Sequence, residues 1–347
     1  MYLRNGRMIG RGERPYIVAE LNSSHNGDID TAKKMVEAAK TCGCDAVKFQ
    51  SWSANSLYCS DYYERNPIAK RMVSRFSLDR AALKELMEYC RGIDIDFSST
   101  PYSRDEVDFL SDELQVPFIK VASMDINNLP YIRYIADKKV PIVLSTGMAS
   151  LDEVALAVNA IEETGLEEIC ILHCVSLYPA ANKTINLRNI STMEKLFKSH
   201  AIGYSDHTIG CAAATASVAL GAALIEKHFT LDSKKVGWDN QMATEPKEME
   251  ELVKCCMDAY TALGSSERII SDEEMAQQKK MRRSLVARCD LSKGSVLREE
   301  HLDAKRPGDG ISVDRYKEVV GCILNRDVKK DRMIMPEYLL SKDVQVI

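Results

Sequence analysis

Three charged or titratable side chains fall inside a segment that otherwise has the composition of a buried strand. The segment LIEKHFT, Leu224 to Thr230, follows an apolar run of small residues and contains Glu226, Lys227 and His228. Burying such groups costs free energy unless they have partners. Alternate side chains of a strand share a face, so Glu226 and His228 point one way and Lys227 the other. The pattern predicts a carboxylate beside an imidazole at one strand end.

A second imidazole closes the preceding strand-like segment, AIGYSDH, which ends at His207. His207 and His228 on adjacent strands, with Glu226 two residues from one of them, predict a divalent-metal site. Mixed nitrogen and oxygen ligands suit Mn²⁺, Fe²⁺, Co²⁺ or Zn²⁺ better than Ca²⁺. Two protein ligands leave positions for water and substrate, which is typical of a catalytic metal rather than a structural one.

Two lysines and several hydroxyls form a different pattern on other strand-like segments. Lys48 and Lys120 lie in AVKFQ and FIKVAS, and Ser123, Ser145 and Ser205 end three of the segments. Ammonium and hydroxyl donors suit a phosphate or carboxylate anion. The sequence therefore predicts that a small phosphorylated acid binds beside the metal.

Short β-branched runs alternate with longer amphipathic runs, and this order predicts how the polar groups are positioned. The predicted strands are residues 16–21, 46–50, 96–101, 118–123, 141–147, 169–176, 201–207 and 224–230. Eight strand-helix units are typical of a (β/α)₈ barrel. A doubly wound sheet is the alternative, but the first predicted strand is followed by AELNSSHNGD and no GxGxxG.

Catalytic groups of such a barrel gather at the carboxyl ends of its strands. Taken alone, a histidine in a strand is most often a core residue with its hydrogen bonds satisfied, and a Ser or Thr at a strand end is most often the cap of the next helix. Polar residues at every predicted strand end, however, favour one common site. The further residues predicted at this rim are Glu20, Gln50, Ser99, Thr100, Thr146, His173, Ser176, Tyr178 and Asp206.

The pattern changes after about residue 264. Residues 265–284 are strongly charged and predict a linker with a helix, and residues 285–347 contain an internal near-repeat. DLSKGSVL, starting at Asp290, is echoed by DVKKDRMI, starting at Asp327. The repeat predicts a small pseudo-symmetric domain after a barrel of residues 1–264.

Composition restricts the class of protein and its partners. A net charge of −5 without a basic block gives no indication of a nucleic-acid partner, and no apolar run approaches the length of a membrane span. The 11 cysteines fall largely in apolar runs, which favours reduced thiols over a disulfide framework. We expect a cytoplasmic protein with neither nucleic acid nor membrane as a partner.

The ordered motifs of the chain resemble those of the sialic acid synthases. These motifs are AEL–SSHNGD, VKFQ, SSTPYS, IKVAS, LSTGM, LHCVSLYP, GYSDHT, EKHFT and KRPGDGIS. The resemblance covers nearly the whole chain, with a C-terminal part similar to an antifreeze-like (SAF) domain. It implies a transferase that condenses phosphoenolpyruvate with an N-acetylhexosamine, a (β/α)₈ barrel, and a homodimer in which the SAF domain of one chain covers the other's site. It also implies a divalent metal, usually manganese, with Mg²⁺ or Co²⁺ as alternatives.

The resemblance also implies roles for individual residues. His207 and His228 resemble the metal ligands, and Glu20, Glu226, Lys48 and Lys120 the catalytic groups. The phosphoenolpyruvate pocket is implied at Lys48, Gln50, Thr100, Lys120, Ser123, Ser145 and Ser205. The acceptor sugar is implied at Ser176, Tyr178 and Asp239, and at Arg306 from the partner's SAF domain.

The chemistry of such a reaction agrees with these residue types. A polarised sugar aldehyde accepts C3 of the enol phosphate, water adds at C2, and phosphate leaves, so a carboxylate must take the water's proton. Glu20 and Glu226 both remain candidates for this step. Ser176, Trp238 and the Ser23-Ser24-His25 run depart from the usual family pattern on the acceptor side, which leaves the sugar open.

Two other functions remain as alternatives. Lys48 or Lys120 on an inner strand face is also the pattern of a Schiff-base aldolase acting on the same sugar acids. A sugar-binding barrel without catalysis is the alternative from another class.

Overall fold

The computed structural model describes residues 1–340. The chain divides into two compact units, Met1–Gly264 and a second that begins at Ser265. Residues 341–347, the end of the predicted C-terminal domain, lie outside the described residues. Among residues 1–340, no helix combines the length and the apolar character that crossing a membrane requires.

The first unit is built on a closed barrel of parallel strands. Within residues 16–228 the eight strands pair in chain order, and the last pairs with the first through Val18 and Glu226. The strands are β1 Tyr16–Glu20, β2 Ala46–Ser51, β3 Asp96–Pro101, β4 Ile119–Val121, β5 Ile142–Ser145, β6 Ile169–Cys174, β7 Ala201–Asp206 and β8 Leu224–His228. Closure confirms the predicted (β/α)₈ barrel and excludes the open, doubly wound sheet.

Helices follow the strands and begin at the capping residues that the sequence supplies. Asp28 accepts a hydrogen bond from the Thr31 amide, and Ser150 forms a reciprocal capping box with Glu153. The α-helices of this unit are Ile29–Thr41, Ala54–Leu57, Ser60–Arg65, Pro67–Phe76, Arg80–Gly92, Arg104–Asp108, Leu129–Asp137, Leu151–Glu162, Asn182–Ile185, Arg188–Leu196, Ala212–Ala219 and Pro246–Leu263. Its shorter turns are a π-helical one, Phe109–Glu113, and two 3₁₀ ones, Ser123–Asp125 and Asn240–Met242.

Side chains alternate strictly between the two faces of each barrel strand. In β1, Tyr16 and Val18 belong to an apolar cluster inside the barrel, whereas Ile17 and Ala19 belong to the cluster between strands and helices. The inner cluster fills the lower barrel, so the inward residue that follows, Glu20, reaches the open end. Position in this alternation decides which polar residue reaches the mouth.

Space inside the lower barrel is tight. A Cβ added at Gly203 on β7 would lie 2.5 Å from Leu172 Cδ2 and 2.6 Å from the Leu224 carbonyl oxygen. Only glycine fits this inward position, because the neighbouring strands supply large side chains there.

Several strands end earlier than predicted. β4 stops at Val121 because Ser123–Asp125 turns into a 3₁₀ segment, and β6 stops at Cys174, so that Ser176 and Tyr178 lie in the following loop. The residues beyond these strand ends form the loops of the barrel mouth.

The second unit contains two similar halves. Its strands are Ser284–Ala287, Leu302–Lys305, Ile323–Leu324 and Leu339–Leu340, and its α-helices are Asp272–Met281 and Tyr316–Val319. Its 3₁₀ turns are Glu299–His301, Val313–Arg315 and Pro336–Tyr338. Leu291 and Val328, at matching positions of the near-repeat, exchange two backbone hydrogen bonds of 2.8 Å. In both halves a 3₁₀ turn leads directly into a strand, as the repeat predicts.

Candidate active site

The barrel opens into a cavity of about 440 Å³ at the carboxyl ends of its strands. All the residues that the resemblance assigns to the site line it, except Arg306. They are Glu20, Lys48, Gln50, Thr100, Lys120, Ser123, Ser145, Ser176, Tyr178, Ser205, His207, Glu226, His228 and Asp239. The strand order therefore brings together residues that are spread over most of the first unit.

Four buried charges form a network on the cavity floor. Lys48 Nζ makes an ion pair with Glu20 and lies 3.8 Å from Glu226 Oε2, while Lys120 Nζ lies 2.9 Å from Glu226 Oε1. Burial raises the pKa of Glu226, but Lys120 and Lys48 outweigh it and lower that pKa to about 2. Burial likewise lowers the pKa of Lys48, and the carboxylates of Glu20 and Glu226 raise it overall. The network contains two cations and two anions, so its formal charges cancel.

Hydroxyl groups surround this network, and they differ in whether they have a hydrogen-bond partner. Thr100 Oγ1 accepts from Lys48 Nζ at 3.0 Å, and Ser205 Oγ donates to Glu226 Oε1 at 3.1 Å. Ser145 Oγ is buried and has no hydrogen-bond partner among the described residues. Ser123 Oγ accepts from the Gly147 amide at 3.0 Å. A buried hydroxyl without a partner is an unusual cost in a folded protein and indicates a ligand position.

Two imidazoles stand side by side above the floor. The rings of His207 and His228 have centroids 5.2 Å apart, and Tyr178 packs on His207 at 4.3 Å. His207 Nδ1 lies 2.8 Å from the Val175 carbonyl oxygen and donates to it, since that oxygen can only accept. Burial, and next the proximity of His228, lower the pKa of His207 to about 4. His207 is therefore neutral, with its Nε2 lone pair available.

Asp239 is the carboxylate on the other side of this pair. Its Oδ2 lies 2.5 Å from His228 Nδ1 and accepts from Asn22 Nδ2. Burial lowers the pKa of His228, but Asp239 raises it overall; in return, His228 keeps the pKa of Asp239 low although burial raises it. Asp239 Oδ1 has no hydrogen-bond partner in the part of the chain that the structure describes.

This donor set fits a divalent cation with open coordination positions. Within residues 1–340, no group of three or more His, Cys, Asp or Glu side chains is arranged so that it could hold a metal ion, so a cation here would have two protein ligands. The neutral His207, oriented by a backbone carbonyl, has the tautomer that metal-binding histidines use. His228 beside Asp239 repeats the carboxylate–histidine pairing common around such ions. The residues present fit a metal bound by two imidazoles, with room for substrate.

Lys227, next in the chain to Glu226, is partnered on the outer face of the barrel. Its Nζ lies 2.8 Å from Asp206 Oδ2 and donates to the carbonyls of Thr208 and Gly210 at 2.5 and 3.2 Å. Asp206 Oδ1 in turn accepts from Thr208 and Tyr204. The charges of the LIEKHFT segment are thus compensated by two separate networks.

Four residues predicted at the rim do not line the cavity, so that part of the prediction is wrong. His173 faces outward because Leu172 and Cys174 occupy the inward positions, and its Nε2 donates to the Ile185 carbonyl at 2.7 Å. The others are Ser99, which bonds Ser51, Thr146, which donates to the Leu172 carbonyl, and Asp206. Arg306 belongs to the second unit, where its side chain is exposed.

The cavity also contains residues that sequence reasoning missed. Cys174 lies 3.7 Å from Ser123 Oγ and 4.0 Å from His207 Nδ1. Applying the strand alternation to ICILHC would have selected Cys174 in place of His173. The other missed lining residues are Asn22, Trp52, Leu57, Tyr58, Tyr102, Ala122, Met124 and Met148, and Trp238, named on the acceptor side from the sequence, lines the cavity as well. Most lie in loops, where no periodicity indicates direction.

Comparison with known proteins gives matches over both units. Residues 35–268 match the NeuB family model, and residues 282–340 match the SAF domain model. The N,N'-diacetyllegionaminic acid synthase of Campylobacter jejuni is 38% identical over 93% of this chain and 99% of its own length. The human N-acetylneuraminate-9-phosphate synthase is 36% identical over 96% of this chain and 95% of its own.

A solved structure agrees with these sequence matches. The N-acetylneuraminic acid synthetase of Leptospira borgpetersenii superposes with a TM-score of 0.73 at 30% sequence identity. The superposition covers 80% of this chain and 94% of that protein. Barrel and sequence similarity therefore point to the same group of proteins.

Proposed function

The chain belongs to the NeuB family and carries a SAF domain, and from this premise we propose that it condenses phosphoenolpyruvate with an N-acetylated hexosamine. The products are a nonulosonic acid and inorganic phosphate. The observation that carries the proposal is the balanced network of two lysines and two glutamates beside an imidazole pair in one cavity. The relatives named above are synthases of such acids, which supports the reaction class.

The two ammonium groups of the floor network are suited to bind the phosphate or carboxylate oxygens of an anionic substrate. Lys48 and Lys120 are held in place by Glu20 and Glu226, so they are ordered before substrate arrives. The unpartnered hydroxyl of Ser145 gives a further donor for a phosphate or carboxylate oxygen. We propose that phosphoenolpyruvate lies across these three groups.

We propose that a divalent metal, Mn²⁺, completes the site at His207 and His228. Such an ion, when bound, polarises the aldehyde oxygen of the open-chain sugar. Asp239 supports His228 from its other side and offers an unpaired oxygen to a sugar hydroxyl. Tyr178, packed on His207, orients the acceptor near the same place.

The proposed bond changes balance without a redox partner. C3 of the enol phosphate forms the new C–C bond with the aldehyde carbon, and the aldehyde oxygen takes a proton to become a hydroxyl. Water adds at C2, which has lost the electrons of the C2–C3 double bond, and gives one proton to a carboxylate. The C2 hydroxyl so formed gives its remaining proton to the departing phosphate, which takes the C–O electron pair, and C2 becomes the ketone of the product. Glu20 and Glu226 are the carboxylates that flank the lysines, and either is placed to take this proton.

The structure favours this reaction over a Schiff-base aldolase. An amine must lose its proton to attack a carbonyl. The carboxylates of Glu20 and Glu226 outweigh burial and raise the pKa of Lys48, which keeps the group an ammonium ion. Its environment is therefore that of an anion-binding group and not that of a nucleophile.

We further propose a homodimer in which Arg306 of one chain reaches the acceptor in the cavity of its partner. The family resemblance and the SAF match support this arrangement. Arg306→Ala should raise the acceptor KM about thirtyfold, since one charge-assisted contact contributes roughly 2 kcal/mol. Mixing Arg306→Ala with His228→Ala, each deficient alone, should restore activity if each site draws on both chains. If the mixture were no more active than the sum of the two variants measured separately, an active site shared between two chains would be contradicted.

Phosphate release tests the function itself. Full-length protein is assayed with phosphoenolpyruvate and a panel of 2-acetamido and 2,4-diacetamido hexoses, first with Mn²⁺ and then with EDTA. We expect acceptor-dependent phosphate release that EDTA abolishes and Mn²⁺ restores. Sugar binding without any phosphate release would instead support the non-catalytic barrel, and borohydride trapping of a sugar acid on Lys48 or Lys120 would support the aldolase.

A further inference from the structure

The chain has two tryptophans, and both lie on one wall of the cavity. Trp52 follows β2 and Trp238 follows β8, yet their ring centroids are 5.2 Å apart. Trp52 is 4% exposed and packs edge-on against Tyr102 at 5.8 Å. Trp238 is 40% exposed. Trp52 therefore supports the wall, and Trp238 presents an indole surface on it.

The loop that carries Trp238 is held in position from behind. Phe76 meets the Trp238 ring at 6.0 Å in an edge-to-face arrangement. The Trp238 amide donates to Ser23 Oγ at 3.3 Å, and Ser24 Oγ donates to the buried Asn240 side chain at 2.7 Å. A contact surface fixed in this way loses little conformational entropy when a ligand binds.

Further apolar side chains line the same cavity, in contrast to its charged floor. Leu57, Tyr58, Met124 and Met148 also line the cavity. Among the described lining residues the lysines are the two of the floor network, each paired with a carboxylate, and there is no arginine. The wall thus offers aromatic surface without a cation of its own.

Asp239 connects the wall to the imidazole pair. It follows Trp238 in the chain and contacts His228 at 2.5 Å. An acceptor whose aldehyde lies at the imidazoles and whose remote carbons face this wall would meet the Trp238 indole. Aromatic faces stabilise C–H, methyl and acetamido groups, whereas a phosphate against the indole face would lose hydration without gaining a charged partner from this chain's cavity lining.

We propose that Trp238, backed by Trp52, selects an unphosphorylated acceptor whose end remote from the aldehyde is apolar. Such an acceptor is an N-acetylated hexose with a second acetamido group or a deoxy terminal carbon. This inference rests on the proposed function and narrows its substrate class. The relatives named above include both diacetyl and phosphate products, so the wall supplies a distinction that the comparisons leave open.

Turnover with three acceptors tests the selection. The full-length protein is assayed with a 2,4-diacetamido-2,4,6-trideoxyhexose, with N-acetylmannosamine and with N-acetylmannosamine 6-phosphate. We expect kcat/KM to fall in that order. Trp238→Leu should reduce the preference for the first over the second about tenfold, with the phosphoenolpyruvate KM unchanged. Trp238→Phe should keep most of the preference, and Tyr2→Leu, an exposed aromatic outside the cavity, should keep all of it.

The outcomes separate this inference from the proposed function. Phosphate release with every acceptor at equal kcat/KM, fastest turnover of the 6-phosphate, or an unchanged preference in Trp238→Leu would each overturn the wall's role alone. No phosphate release with any acceptor would overturn the synthase. In that case tryptophan fluorescence still decides on the wall, because both tryptophans lie there: quenching by the diacetamido sugar but not by the 6-phosphate supports it, and no quenching by the diacetamido sugar contradicts it.

Discussion

Glu226 and Lys227 are neighbours on one strand, but their charges belong to networks of opposite character. On the inner face, Glu226 joins two lysines and Glu20, and Glu226 Oε2 and Ser145 Oγ have no hydrogen-bond partner among the described residues. On the outer face, Lys227 Nζ has three oxygen partners. The inner network is incomplete and faces a cavity; the outer one is complete and sealed.

The difference separates charges that hold the fold from charges that await a ligand. A buried pair contributes to stability only when its remaining hydrogen-bonding capacity is used, as it is around Lys227 and Asp206. The inner network leaves that capacity open, which a protein tolerates where substrate supplies the missing partners. Four substitutions test this contrast, from the largest expected effect to the smallest.

Breaking the outer pair should cost the most stability. Lys227→Met leaves Asp206 buried without its cation, and the free energy of unfolding should fall by about 3–5 kcal/mol. Adding Asp206→Asn removes the stranded charge and should recover more than half of the loss. Denaturant unfolding of both variants measures this, and activity per folded molecule should remain within a few fold of wild type. If the Lys227→Met protein were as stable as wild type, the Lys227–Asp206 pair would not stabilise the fold, which would contradict the account.

Breaking the inner network should instead cost catalysis. Lys120→Met should lower kcat/KM for phosphoenolpyruvate about 10²–10³-fold, because an electrostatic group aimed at the reacting anion is lost. Its stability cost should be less than half that of Lys227→Met, because the cavity admits water to Glu226 and Lys48 stays nearby. Equal losses of stability in Lys120→Met and Lys227→Met would contradict the distinction between the inner and outer networks.

Removing the unpartnered hydroxyl should affect binding alone. Ser145→Ala breaks no hydrogen bond within the described residues, so thermal stability should not fall. The phosphoenolpyruvate KM should rise about tenfold if the hydroxyl bonds the substrate anion. Ser205→Ala is the matched control, since Ser205 already bonds Glu226 and its loss should also destabilise the fold. An unchanged KM in Ser145→Ala would take that residue out of the pocket.

The smallest effect is expected at the edge of the outer network. Tyr204→Phe removes one hydrogen bond of 3.1 Å to Asp206 and should lower the unfolding free energy by about 1 kcal/mol. Steady-state kinetics should stay at wild-type values. A kinetic defect without a change in stability would mean that the outer network affects catalysis, which would contradict the account.

The sequence predicted the barrel well because its signal is periodic. In β1 and β8 the alternation of inner and outer side chains is complete, so Glu20, Glu226 and His228 were placed at the mouth and Lys227 outside. The near-repeat in the second unit likewise follows from a regular pattern. Local sequence rules are enough to predict the direction of a side chain where alternate residues of a strand face the barrel interior.

The rest depends on contacts that no local pattern encodes. His173 was assigned to the rim because of its residue type, although its strand register turns it outward. Asp206 was grouped with His207, and only the fold pairs it with Lys227. Trp52 and Trp238 meet through two loops, and neither loop has a periodicity that predicts the encounter.

A crystal structure of the full-length protein with phosphoenolpyruvate tests the central claim most directly. The account predicts the ligand on the cavity floor, with its phosphate or carboxylate oxygens within hydrogen-bond distance of Lys48 Nζ, Lys120 Nζ and Ser145 Oγ, while the Lys227–Asp206 contacts stay unchanged. Phosphoenolpyruvate bound elsewhere, with Ser145 still lacking a partner in the complex, would contradict it.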